Sequence, residues 1–195
     1  MLLRRCGTDA LLVEVDSLAE VAAVRAALQD LDGVEELVPA ARTVLVKGAL
    51  AQVRDVLATV DLTHVPETRS REVTIPVTYD GPDLDLVAET ANVSPEEVVR
   101  LHADATYEVA FCGFAPGFGY LTGLPPSLQQ PRLDSPRTKV PAGSVGIAGE
   151  FTAAYPRSTP GGWRLIGRTD ITLFDPKAET PALLQPGDRV RFVVA

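Results

Sequence analysis

The sequence predicts an α+β protein in which a small N-terminal α/β domain is followed by a β-rich barrel or sandwich. Three observations predict it. Strand-like and helix-like periodicities alternate through residues 9–60. That periodicity is lost in the polar stretch 61–71. From Thr106 onward, short β-prone runs are separated by Gly and Pro clusters, the pattern of a many-stranded barrel or sandwich. The domains are therefore set at residues 1–65 and 72–195, with 66–71 as the linker.

The elements follow in order. Ala10 to Val15 reads as a strand ending at Asp16, and Ser17-Leu18-Ala19-Glu20 has the form of a capping box. Val21, Val24, Leu28 and Leu31 recur at helical spacing, and Gly33 supplies a stop. Val34 to Val38 and Thr43 to Lys47 read as strands joined by Pro39-Ala40-Ala41-Arg42. A second helix carries Val53, Val56, Leu57 and Val60 on its apolar stripe. His64 falls in the polar stretch and reads as a solvated surface histidine.

In the second domain Val73, Ile75, Val77 and Tyr79 alternate with Thr74, Pro76 and Thr78, a half-buried strand. Two short helices follow, the second opened by the cap Ser94 and by Pro95 at its first position. Later strands are expected at Tyr107 to Cys112, Ser144 to Ile147, Leu165 to Ile166, Ile171 to Phe174 and Arg189 to Val194, with a turn at Gln185-Pro186-Gly187-Asp188.

Composition narrows the function. Of 195 residues, 46% are hydrophobic and 23% charged, which suits a globular chain rather than a disordered one. No run approaches the roughly 18 apolar residues of a membrane span. Met1-Leu2-Leu3 precedes Arg4 and Arg5, the reverse of a signal peptide, so the expected location is the cytoplasm. A net charge of −8 argues against general nucleic-acid binding. Cys6 and Cys112 lack CxxC spacing and read as buried free thiols. No HExxH or paired CxxC pattern is present, and no bound metal is expected.

Three clusters concentrate residues that are costly to keep without a role. Gly113-Phe114-Ala115-Pro116-Gly117-Phe118-Gly119-Tyr120-Leu121 is either a turn whose aromatics fill the barrel or a ligand loop. Pro136 to Gly149 is glycine-rich, but Lys139 precedes its glycines, so it is no Walker loop. The third cluster is Tyr155-Pro156, then Pro160-Gly161-Gly162-Trp163, then Gly167-Arg168-Thr169. Arg132, Arg137, Lys139, Arg157, Arg164 and Arg168 face only Asp134 and Glu150 in this region. Such a basic loop set on an acidic chain suits a carboxylate or phosphate ligand, or is a scatter of surface cations.

In this order, GFAPGFGYL, VPAGSVGIAG, YP and PGGWRLIGRT resemble the family that contains the 5-oxoprolinase B subunit, the first subunit of allophanate hydrolase and KipI-type kinase inhibitors. Part of the carboxyltransferase domain of urea carboxylase is also similar. IPVTYDGPDLDLVAETANVSPEEVVRLH, from Ile75 to His102, resembles the family's lead-in. Two positions depart from the family pattern: Phe151-Thr152 stands where a Gln-Thr pair is usual, and Gly117-Phe118-Gly119-Tyr120 replaces Gly-Phe-Pro-Tyr.

The resemblance implies that the C-terminal domain is a cyclophilin-like β-barrel, and that partner C and A subunits complete an enzyme. The reaction implied converts 5-oxoproline, ATP and water to glutamate, ADP and phosphate. A lactam is a resonance-stabilised amide with a poor leaving group, and phosphorylating its oxygen would make the carbon electrophilic. Such chemistry needs cations against developing negative charge rather than a Ser-His-Asp nucleophile, and no GxSxG motif is present. On this reading Arg137, Lys139 and Arg168 are the candidates for the carboxylate or phosphoryl oxygens. Tyr155 is the hydroxyl donor, Tyr120 and Trp163 are walls, and His102 is the acid/base candidate or a structural helix histidine. The competing readings are a histidine-kinase inhibitor and a carboxyltransferase or allophanate-hydrolase component. A peptidyl-prolyl isomerase is suggested by fold analogy alone.

Overall fold

The computed structural model describes residues 1–63 and 71–195, so His64 and most of the expected linker lie outside the described residues. The chain divides into two compact units, Met1–Arg69 and Ser70–Ala195.

The first unit runs β1 (Leu2–Cys6), β2 (Ala10–Glu14), α1 (Leu18–Leu28), β3 (Glu36–Pro39), β4 (Thr43–Lys47) and α2 (Leu50–Leu57). Its sheet has the order β1-β2-β4-β3 and every pairing is antiparallel. Inward residues Leu11, Val13, Val44 and Val46 meet Val21, Val24, Leu28, Val53 and Leu57 of the helices in one buried cluster. The capping box forms: Ser17 Oγ accepts from the Glu20 N–H at 3.2 Å, and the Glu20 carboxylate reaches back to the Asp16 N–H at 3.1 Å.

Strand β1 is an addition to the expected elements. It is an edge strand carrying the exposed Arg4 and Arg5, so its sequence lacks the apolar alternation that marks a buried face. Cys6 and Cys112 are half-buried rather than buried as expected, and Cys112 Sγ donates to Leu184 O at 3.8 Å.

The second unit runs β5 (Glu72–Val77), α3 (Leu84–Ala91), α4 (Pro95–Asp104), β6 (Tyr107–Cys112), β7 (Gly119–Thr122), β8 (Arg137–Val140), β9 (Ser144–Ala148), β10 (Phe151–Ala154), β11 (Thr159–Gly161), β12 (Arg164–Arg168) and β13 (Arg189–Val194). Seven strands form one sheet, ordered β12-β9-β10-β7-β6-β13-β5. Its outer edges nearly meet: the N–H of Thr78 donates to Arg168 O at 2.8 Å, and that of Arg168 returns to Thr78 O at 2.9 Å. The result is a nearly closed barrel, which removes most of the exposed strand edge. Strands β8 and β11 form a separate two-stranded ribbon. The barrel core holds Ile75, Val77, Val109, Leu121, Ile147, Ile166 and Phe192, with Val87 and Val98 of the helices packed into it.

One expected strand is corrected. Ile171 to Phe174 is irregular chain, joined to its surroundings by a lone bridge between Phe174 and Ala182 and by the Leu183 N–H on Leu173 O. Leu173 alone of this run is buried, so the apolar residues there anchor a loop rather than alternate across a sheet.

Candidate functional site

The loop between β6 and β7 turns on two left-handed residues, Phe114 at φ 65° and Gly117 at φ 81°. Glycine suits this conformation at position 117, where a Cβ would also lie 2.6 Å from Phe174 Cβ. Phe114 has no such freedom, and its left-handed backbone is held by the Ala115 N–H on Gly113 O at 2.7 Å and the Phe118 N–H on Ala115 O at 2.9 Å. The turn leaves the Phe114 side chain 58% exposed. Strained backbone under an exposed aromatic is a pairing found at ligand sites.

Below Phe114 lies a cluster of rings. Phe118 meets Tyr120, Tyr155 and Trp163 edge to face with centroids 4.9, 5.3 and 5.6 Å apart, and Phe114 meets Tyr155 at 6.3 Å. These distances fit favourable aromatic packing. The rings wall a cavity of about 130 Å³, and Arg132 lines the same cavity. Gly161 and Gly162 also line it. A Cβ at position 161 would stand 2.7 Å from the Tyr155 hydroxyl, so glycine there keeps the hydroxyl and the backbone in close approach. The Arg132 segment is strapped down on both sides, by the Leu133 N–H on Gly162 O at 2.7 Å and the Gly149 N–H on Gln130 O at 2.7 Å.

Burial pushes the Tyr155 hydroxyl up to about 12, with the nearby Arg132 charge opposing the rise and a backbone hydrogen bond to Trp163 acting the same way. Burial also raises Tyr120, again against Arg132. Both phenols are therefore neutral hydroxyls at physiological pH, and Arg132 is close enough for its field to act on both. Among the described residues no hydrogen bond or ion pair engages the Arg132 guanidinium, which stands exposed at the cavity.

The model of the carboxyltransferase domain, subdomain C and D, matches residues 1–184. The chain belongs to that family. Over 130 residues it is 54% identical to the 5-oxoprolinase B subunit of Escherichia coli O157:H7, an alignment covering 65% of this chain and 60% of that protein. Against the 5-oxoprolinase B subunit of Bacillus subtilis it is 52% identical over 130 residues, covering 65% of this chain and 54% of the other. The chain thus spans little more than half the length of these curated relatives. In fold it is similar to the crystal structure of TTHA0988, with a TM-score of 0.82 and 35% identity over 96% of this chain and 40% of that one.

The two expected walls, Tyr120 and Trp163, and the expected hydroxyl donor, Tyr155, come together at one cavity. The expected cations do not. Arg137 turns inward to Asp83, with Nη2 donating to Oδ1 at 2.7 Å and Nη1 standing 3.5 Å from Trp163 O. It is paired with Asp83 and does not line the cavity, although its charge also acts on Tyr155. Arg168, at the end of β12, donates from Nε to Asp80 at 2.9 Å on an exposed surface. Lys139 is an exposed residue of the β8 ribbon and does not line the cavity.

His102 requires the largest correction. It is fully buried in the barrel core beside Tyr79, Tyr107 and Phe192, and both ring nitrogens are engaged, Nδ1 by the Tyr79 hydroxyl at 2.8 Å and Nε2 by Thr152 Oγ1 at 2.9 Å. A sealed, doubly satisfied ring has no route to a substrate proton. The residues missed by sequence reading are Arg132, Phe114 and Phe118. All three stood in the basic or aromatic clusters, but Pro131-Arg132 and Pro136-Arg137 are alike in sequence. Only the fold tells which arginine meets an aspartate.

Proposed function

We propose that the chain acts as the B subunit of an ATP-dependent 5-oxoprolinase and contributes the site that holds the lactam substrate. The observation that carries this reading is the small cavity walled by Phe114, Phe118, Tyr120, Tyr155 and Trp163 with a cation beside it. It lies in a chain that is 54% identical to the 5-oxoprolinase B subunit of Escherichia coli O157:H7. A five-membered lactam acid has a near-planar ring with one amide and one negative charge, and a cavity of ring faces, a phenol hydroxyl and a cation complements these parts. At about 130 Å³ the cavity is well below the roughly 300–1,000 Å³ of sites for larger ligands. On this reading the cavity takes the lactam and not the nucleotide.

The overall reaction consumes 5-oxoproline, ATP and water and yields glutamate, ADP and phosphate. Phosphoryl transfer to the lactam oxygen depends on positioning and charge stabilisation, which groups from several subunits can supply together. The partners on this reading are the C and A subunits, and the complex works in the cytoplasm. Among the described residues no helix is long and apolar enough to cross a membrane.

The test is reconstitution. The chain is purified alone, with the C subunit, and with both the C and A subunits, and glutamate formation from 5-oxoproline and ATP is assayed in each. Turnover is expected only in the full set. Robust turnover by the chain alone overturns the partner requirement, and none by the full set overturns the assignment.

A further inference from the structure

We infer that Arg132 is the carboxylate anchor of the aromatic cavity, so that the site selects small acids whose flat body enters between Tyr120, Tyr155 and Trp163. The inference deepens the function proposed above and rests on it for the choice of probe, but the geometry that carries it stands independently.

Six cations lie in the region between Pro131 and Arg168. Three are already committed: Arg137 to Asp83, Arg168 to Asp80, and Arg164 to Thr90 and Gln130. Lys139 and Arg157 are exposed and do not line the cavity. Arg132 does line it, and its charge is felt by both Tyr120 and Tyr155. A guanidinium with five donors and no partner among the described residues, next to neutral hydroxyls and ring faces, is a site for a planar two-oxygen anion.

The surrounding groups fix which end of a ligand goes where. The rings carry no positive charge, so a carboxylate is paired best at the Arg132 side. Tyr155 stays protonated and can donate a hydrogen bond to a neutral acceptor deeper in the cavity, such as an amide oxygen. The backbone carries the same order: the Leu133 N–H on Gly162 O at 2.7 Å locks the Arg132 segment against the glycines that line the cavity. The backbone that carries Arg132 is thus held beside the cavity, and the side chain reaches the cavity through its own torsions.

Trp163 is the chain's only tryptophan and it walls the cavity, so its fluorescence reports occupancy directly. The experiment titrates the full chain with 5-oxoproline and with its uncharged carboxamide. Saturable change in Trp163 emission is expected for both, with the carboxamide about 10- to 100-fold weaker, the usual strength of a charge-assisted hydrogen bond. Arg132→Gln should weaken the acid by the same factor, leave the carboxamide unchanged, and so erase the preference. Arg132→Lys should recover part of it. Arg168→Ala, on a cation already paired outside the cavity, should leave the preference intact.

Equal binding of acid and carboxamide by the wild type overturns the inference, as does an unchanged preference in Arg132→Gln or the absence of any saturable signal. The outcomes separate the two readings. If the acid preference depends on Arg132 but the full three-subunit set makes no glutamate, the anchor stands and the 5-oxoprolinase reading falls. If the set turns over but Arg132→Gln has no effect on the preference, the anchor alone is refuted.

Discussion

Thr152 decides the tautomer of His102, because its hydroxyl already donates to Gly146 O at 3.1 Å and can only accept from the imidazole. Nε2 therefore carries the proton, and Nδ1 accepts from the Tyr79 hydroxyl. Desolvation pushes the imidazole down to about 3 from an ordinary 6.5. Between those values the unfolded chain binds a proton that the folded chain refuses, so stability is fully present above about 6.5 and falls as pH is lowered. The loss from this one group approaches about 1.4 kcal/mol per pH unit. His102→Gln keeps one donor and one acceptor but does not titrate. Urea unfolding at pH 7 and pH 5 should show the wild type losing more stability than the variant, and equal losses would place the titrating group elsewhere. That Arg137 and Arg168 meet Asp83 and Asp80 is a consequence of chain segments dozens of positions apart, and charge alone left all six cations equivalent.

At the scale of elements, Asp83 joins three pieces of the barrel. It precedes α3, accepts from the Leu165 N–H of β12 through Oδ2 at 2.7 Å, and from Arg137 of β8 through Oδ1 at 2.7 Å. Breaking a fully buried pair costs about 3–5 kcal/mol, and the partial exposure of Arg137 reduces that here. Asp83→Asn should therefore lower the free energy of unfolding by about 2 kcal/mol, read from denaturant midpoints, and shift Trp163 emission because Arg137 also approaches Trp163 O. A variant as stable as the wild type would mean that the pair adds nothing beyond a neutral hydrogen bond. The elements legible in the sequence were those with a strong local signature: the capped helices α1 and α4, the alternating β5, and the β3–β4 hairpin. Strands β7, β8, β10 and β11 were not, because each is only three or four residues long, too short for an alternation to show. Their pairing comes from tertiary contacts, β7 and β10 in the barrel sheet and β8 and β11 in the separate ribbon, rather than from local pattern.

At the scale of the whole molecule, the barrel completes itself using its own chain. Its parallel β5–β13 pairing runs from Arg189 on Glu72 to Val194 on Val77, so the first and last strands of the unit lie side by side. The opposite edge is sealed by the Thr78–Arg168 bridge, and the core cluster draws every member from residues 73–192. The aromatic cavity is built wholly from residues 114–163 of the same unit. Arg71 ties to Asp188 at 2.7 Å just ahead of β5, and a fragment starting at Glu72 would lose this ion pair. Asp188 is buried, so the loss is destabilising, but its carboxylate keeps the Gln185 N–H at 2.9 Å and the barrel core remains whole. We therefore propose that a fragment starting at Glu72 folds alone. Far-UV circular dichroism should show a β-rich spectrum with cooperative thermal loss, and Trp163 emission should match that of the full chain. A disordered or mainly helical spectrum would mean that the barrel needs the preceding residues to fold, and would refute the boundary.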